Sequence, residues 1–155
     1  MHLRAKVLTV SSSAHAGTRE DRSGDLVAAR LVSGGFTVVE RQLTPDGIGV
    51  VADAIRHMAD GFTGLIVTTG GTGFAPSDLT PEATASVIDR EAPGIAEAMR
   101  GVSPLGPLSR GRAGTIATCL VLNTPGSPKG AVESLEAVLG ILPHALELLA
   151  GTSSH

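Results

Sequence analysis

The sequence predicts an α/β protein: a three-layer α/β/α sandwich with a mostly parallel sheet. Three observations predict it. Apolar runs of strand length alternate with stretches of helical periodicity along the 155 residues. The run Leu65-Ile66-Val67 passes into Gly70-Gly71-Thr72-Gly73 and then into a helix start at Thr80-Pro81-Glu82, and such strand–turn–helix junctions carry ligands beyond the carboxyl ends of strands. Hydrophobic residues make up 42% of the chain and charged residues 17%, enough apolar side chain for a core covered on both faces of a sheet.

Lys6 to Val10 reads as the first strand, a buried parallel-sheet run. Ser11-Ser12-Ser13 and a polar loop through His15 and Gly17 follow. Asp21-Arg22-Ser23-Gly24 precedes a helix with Val27, Leu31 and Val32 on one side, ended by Gly34-Gly35. Phe36 to Leu43 alternates and reads as a strand near the sheet edge. Thr44-Pro45-Asp46-Gly47 is a turn. Val51, Ile55 and Met58 recur at helical spacing, and Gly61 ends that helix.

Gly64 leads into the third strand. In the helix after the glycine turn, Thr80 suits the cap, Pro81 the first position and Glu82 the first turn, with Ala83 and Val87 inward. Pro93-Gly94 breaks this helix, and a short one spans Ile95 to Arg100. The Gly-, Pro- and Ser-rich stretch 101–114 reads as a loop. Ala113–Ile116 and Cys119–Asn123 read as a hairpin across Ala117-Thr118. A second dense turn runs from Thr124 to Lys129. Val132, Leu135, Leu139 and Leu142 then mark a helix, and Pro143 opens a last one holding Leu146 and Leu149.

Composition excludes several function classes. The length suits one domain over residues 1–155. No apolar run approaches a membrane span of about 18 residues. The N-terminus lacks the pattern of a secretory signal, which reads as a cytoplasmic protein. The net charge of −3 and the three aromatics, Phe36, Phe62 and Phe74, offer no nucleic-acid surface and no base-stacking platform. The single Cys119 rules out an internal disulfide.

The candidate chemistry centres on two turns. Three glycines in four residues suit positive φ or close backbone approach, and bared amides at such a turn suit a phosphate. A tight turn without a ligand explains the glycines equally well. The stretch is no Walker A loop, because it holds no lysine, and Pro76 stands where a dinucleotide fingerprint needs its third glycine. Asp46 and Asp78 follow the second and third strands and so project from one sheet edge. Two carboxylates there suit Mg²⁺ against a polyphosphate; taken singly, each suits a turn or a cap.

Lys129 opposes the helix dipole unless an anion joins it; as a solvated lysine it needs no partner. Asp21-Arg22-Ser23 either caps its helix or reaches the same cleft. His2 and His155 sit at the termini, His57 and His144 lie within helices, and His15 is a loop candidate only. No nucleophile elbow and no HExxH pair occurs.

Taken together, TTGGTGFAPSDLTPEAT (68–84), Asp21-Arg22-Ser23-Gly24, Pro45-Asp46, Leu108-Ser109-Arg110 and Asn123-Thr124-Pro125-Gly126-Ser127-Pro128-Lys129 resemble the molybdopterin adenylyltransferase family (MogA/MoaB-like) over nearly the whole chain, from about Lys6 to Gly151. The resemblance implies transfer of AMP from Mg-ATP to the terminal phosphate of molybdopterin, with release of pyrophosphate. It implies a five-stranded mixed sheet with one antiparallel strand, a homotrimer, and delivery of the product to a downstream molybdenum insertion protein.

The family's two functional aspartates map onto Asp46 and Asp78, as catalytic residues and as holders of Mg²⁺. Gly70, Gly71, Thr72 and Gly73 would cradle phosphate or nucleotide. Pro125, Gly126, Ser127 and Lys129 would form a further anion site, and Ser11, Arg22, Ser23, Ser109 and Arg110 the cleft wall. Two departures stand out. Many relatives carry Asp where Ser12 stands and Arg where Ser77 stands, which takes a cation from beside Asp78. They leave a second reading, a pterin- or nucleotide-binding paralogue or trimeric scaffold without efficient transfer.

Overall fold

Each central strand carries apolar side chains on both of its faces, and that alternation builds two cores. In the computed structural model, which describes residues 2–152, the parallel strands are β1 (Arg4–Val10), β2 (Thr37–Thr44), β3 (Gly64–Thr69) and β6 (Cys119–Thr124). Ala5, Val7, Leu65, Val67, Leu120 and Leu122 point to one side. Leu8, Val10, Ile66, Cys119 and Val121 point to the other. A run buried on both faces is what a central parallel strand requires.

The first core is covered by α2 (Arg22–Ser33), α5 (Pro93–Arg100), α6 (Pro128–Leu139) and α7 (Leu142–Leu149). The second is covered by α3 (Ile48–Ala59) and α4 (Thr80–Ala85). Val51, Ile55 and Met58 of α3 are fully buried, each worth about 1.5–3 kcal/mol of transfer free energy. Val27 and Leu31 of α2 are buried as expected, but Val32 is 59% exposed. One residue of helical rotation carries it past the edge of the buried stripe.

The strand order is β2-β1-β3-β6-β5-β4, six strands where five were expected. β5 (Ala113–Ile116) runs antiparallel to β6, joined through Ala117 at φ 49°. The sixth strand is the two-residue β4 (Arg90–Glu91), paired antiparallel to β5. β5 alone therefore runs against the others. β2 is the opposite edge, and its alternating burial is the signature of that position. Ser12–His15, expected as loop, forms one helical turn, α1, capped by the Ser11 hydroxyl.

No helix among the described residues is long and apolar enough to cross a membrane. All the parallel strands end on one edge of the sheet, and the two dense turns of the sequence meet there.

Candidate functional site

The glycine turn is fixed from beneath by backbone. Gly70 has φ +105°, and a Cβ there would lie 2.2 Å from the Val10 carbonyl oxygen. Its amide donates to the Thr124 carbonyl at 3.1 Å. Gly71 has φ +69°, and a Cβ would meet the Thr80 hydroxyl at 2.4 Å. These two positions require glycine for sign of φ and for space together.

Thr80 is not the helix cap. Leu79 occupies that position without a side-chain bond. The Thr80 hydroxyl instead donates to the Gly70 carbonyl at 2.9 Å, and its amide to the Gly71 carbonyl at 3.0 Å. Buried backbone oxygens of the turn need donors, and Thr80 is the residue that returns beneath them.

Asp78 lies over Gly73, where a Cβ would stand 2.9 Å from Asp78 Oδ2. That oxygen accepts the Ala75 amide at 2.9 Å. Arg110 bonds the backbone around Asp78, not its carboxylate. Its Nη2 donates to the Asp78 carbonyl at 2.6 Å and its Nε to the Gly73 carbonyl at 2.8 Å. Its guanidinium pairs with both oxygens of Glu82, at 2.7 and 3.1 Å. The hydrogen bond from Arg110 holds the Glu82 carboxyl below the ordinary glutamate range, against a smaller opposing effect of burial.

The second turn packs on the first. A Cβ at Gly126 would lie 3.3 Å from Gly70 Cα. Thr69 donates to the Pro125 carbonyl and Thr124 to the Thr68 carbonyl, both at 2.8 Å. Ser127 caps α6, accepting the Gly130 amide at 3.2 Å. The side chain of Lys129 is 88% exposed and stands 3.9 Å from Glu133.

One cavity of about 810 Å³ joins these pieces. Gly71, Thr72, Gly73 and Asp78 line one side, and Pro125, Gly126, Ser127 and Lys129 another. Ser109 lines it too, with Met99, Leu105 and Leu108 as an apolar wall. Polar turns facing an apolar wall suit a ligand that is part anion and part flat ring. Gly70 lies buried under this floor.

Other expected residues stand elsewhere. Arg110 lies behind the glycine turn, outside the cavity lining. Ser11 caps α1. Arg22 is exposed at the start of α2 and Ser23 is buried within it. Asp21 is the cap, accepting the Gly24 amide at 3.0 Å. Asp46 shares the sheet edge with Asp78 and not the cavity. It accepts from the Ser12 hydroxyl at 2.9 Å, and β1 lies between their parent strands, so the strand ends are about 10 Å apart. His15, His57 and His144 are exposed and do not line this cavity; His155 lies outside the described residues.

Among the described residues no group of three or more His, Cys, Asp or Glu side chains forms a metal cage. The donor set fits Mg²⁺ in the mode in which one carboxylate, Asp78, meets an ion already carried by substrate phosphates and water.

Two residues that brace the site were given no site role by the sequence. Asn123 is buried, donates to Thr68 and Thr84 at 2.9 and 3.0 Å, and accepts the Arg112 amide at 3.0 Å. It ties the cavity wall to the floor. Its signal was a lone amide ending an apolar run, since a buried polar side chain must be paired. Glu82 read only as a first-turn acid.

A family model described as a probable molybdopterin binding domain matches residues 6–144. The molybdopterin biosynthesis enzyme MoaB of Thermus thermophilus superposes with a TM-score of 0.91, at 48% identity over 96% of this chain and 97% of that one. A molybdopterin adenylyltransferase of Helicobacter pylori is 37% identical, covering 94% of this chain and 86% of its own. The molybdenum cofactor synthesis protein cinnamon of Drosophila melanogaster is 34% identical over 92% of this chain, which spans only 25% of that longer protein.

Proposed function

The chain belongs to the molybdopterin-binding domain family of molybdenum cofactor biosynthesis, and from that premise we propose that it is a molybdopterin adenylyltransferase. It transfers AMP from ATP to the terminal phosphate of molybdopterin. A phosphate oxygen of the pterin attacks the α-phosphorus of ATP, the bond to the β-phosphate breaks, and pyrophosphate leaves. The attacking oxygen is already ionised, so positioning and charge neutralisation carry the reaction and no strong base is needed.

The observation that carries this reading is the one cavity lined both by Gly71, Thr72 and Gly73 and by Pro125, Gly126, Ser127 and Lys129. Each turn can hold one phosphate-bearing partner. The glycine-turn amides cradle the nucleotide. The N-terminus of α6, with Ser127 and Lys129, holds the pterin phosphate, and the apolar wall takes the ring. Asp78 would hold the Mg²⁺ that comes with ATP, and the ion would supply neutralisation of the developing charge. Asp46, on the same edge and outside the cavity, is the second carboxylate that the nucleotide's extended phosphates meet. Ser109 lines the pterin side. We further propose that the protein works as a cytoplasmic homotrimer and passes its product to a molybdenum insertion protein.

Incubation with molybdopterin, Mg²⁺ and ATP tests the proposal. Pyrophosphate release is expected to require the pterin and to fall by about 100-fold or more in Asp78→Asn. No release with pterin still bound would overturn it in favour of a binding paralogue.

A further inference from the structure

Arg110 does not itself line the cavity, yet its four side-chain hydrogen bonds and its backbone amide serve residues that do and the Glu82 behind them. The amide donates to the Thr72 carbonyl at 2.8 Å. Nε and Nη2 take the carbonyls of Gly73 and Asp78. The remaining bonds go to Glu82 as a two-pronged pair, the arrangement that suits a planar guanidinium. A trans peptide points its carbonyl and the next residue's N–H in opposite directions. Drawing the Thr72 and Gly73 carbonyls toward Arg110 therefore turns the Gly73 and Phe74 amides away from it. Neither of those amides donates to another described residue.

We propose that Glu82 and Arg110 are a positioning pair: the carboxylate fixes the guanidinium, the guanidinium fixes the Gly73 and Asp78 carbonyls, and the Phe74 amide is thereby held toward a nucleotide phosphate, beside the Gly73 amide that the Arg110 backbone sets. This rests on the adenylyltransferase reading of the cavity and adds two residues that act without touching substrate. Lysine cannot replace Arg110 in this role, because a single ammonium cannot span Gly73, Asp78 and Glu82 in one plane. The Pro125–Lys129 turn hangs on separate bonds, from Thr69 to the Pro125 carbonyl and from the Gly130 amide to Ser127, so that turn does not depend on the pair.

Pyrophosphate release is measured for the wild type, Glu82→Gln, Glu82→Ala and Arg110→Lys. In Glu82→Ala and Arg110→Lys, kcat is expected to fall about 10- to 100-fold, the scale of a misplaced cradle. KM for molybdopterin should move by less than about threefold. Glu82→Gln keeps one acceptor and the side-chain shape, folds most readily, and should fall in between. Amide hydrogen exchange over residues 71–78 supplies a readout without turnover, expected to speed up at least about tenfold in Glu82→Ala.

Unchanged kcat in folded variants, with only Tm lowered, would overturn the pair as a positioning device. So would a raised KM for molybdopterin at constant kcat, which would make Arg110 a substrate contact. A silent wild type with faster exchange in Glu82→Ala would sink the adenylyltransferase reading and leave the hold on the turn standing. A silent wild type with unchanged exchange would overturn both.

Discussion

Ser12 and Asp46, 34 residues apart, are bonded reciprocally: the Ser12 hydroxyl donates to Asp46 Oδ2 at 2.9 Å, and the Asp46 amide donates to the Ser12 hydroxyl at 3.1 Å. The Ser12 amide adds a third contact at 3.3 Å. A serine at this place turns what would be two facing acids into one acid and its donor. Ser12→Asp would set like charges within hydrogen-bond distance. We expect it to cost about 1 kcal/mol, roughly 2–4 °C in Tm. Millimolar Mg²⁺ should restore the loss in the variant and leave the wild type unmoved. Thermal melts with and without the ion decide it, and a loss that Mg²⁺ does not touch would contradict the account.

The glycines of this chain divide by what surrounds them. Gly70→Ala would force a Cβ onto the Val10 carbonyl oxygen at positive φ, a conformation costly for any L side chain. A loss of about 2–4 kcal/mol is expected in urea unfolding. Gly49 lies in α3, where a Cβ meets nothing within 4 Å. Gly49→Ala should gain about 0.5 kcal/mol from reduced chain entropy. Equal effects at the two sites would refute the distinction.

Acid should loosen both the glycine turn and the β2 edge of the sheet. The Glu82 carboxyl is held low by Arg110. At Glu40, burial pushes the carboxyl up, but hydrogen bonds from Lys6 and Gln42 outweigh it and the net direction is down. A carboxyl whose folded value is depressed gives its stability above the unfolded value and loses it as pH falls through the folded one. Tm should therefore drop on acidification below about pH 4. Glu82→Gln should show a shallower drop than the wild type, and superimposable acid limbs would remove Glu82 from the explanation.

What the sequence determined by itself is local. Strand runs, helical stripes, the Ala117-Thr118 hairpin and both dense turns announce themselves because periodicity, glycine and proline act within a few residues. The common edge for Asp46 and Asp78 followed from reading their strands as parallel. β4 left no mark, because two residues carry no period, and it forms only where β5 offers an edge.

The tertiary structure decided who touches whom. Asp78 entered the cavity and Asp46 did not, because β1 inserts between their strands. Thr80 gave up its cap to serve Gly70, since the buried Gly70 carbonyl needs a donor. Arg110, expected to face the ligand, faces Glu82 and the back of the turn across 28 residues of chain. That choice depends on the path of the 101–112 loop over the sheet edge, a long-range packing outcome that no local pattern in the sequence encodes.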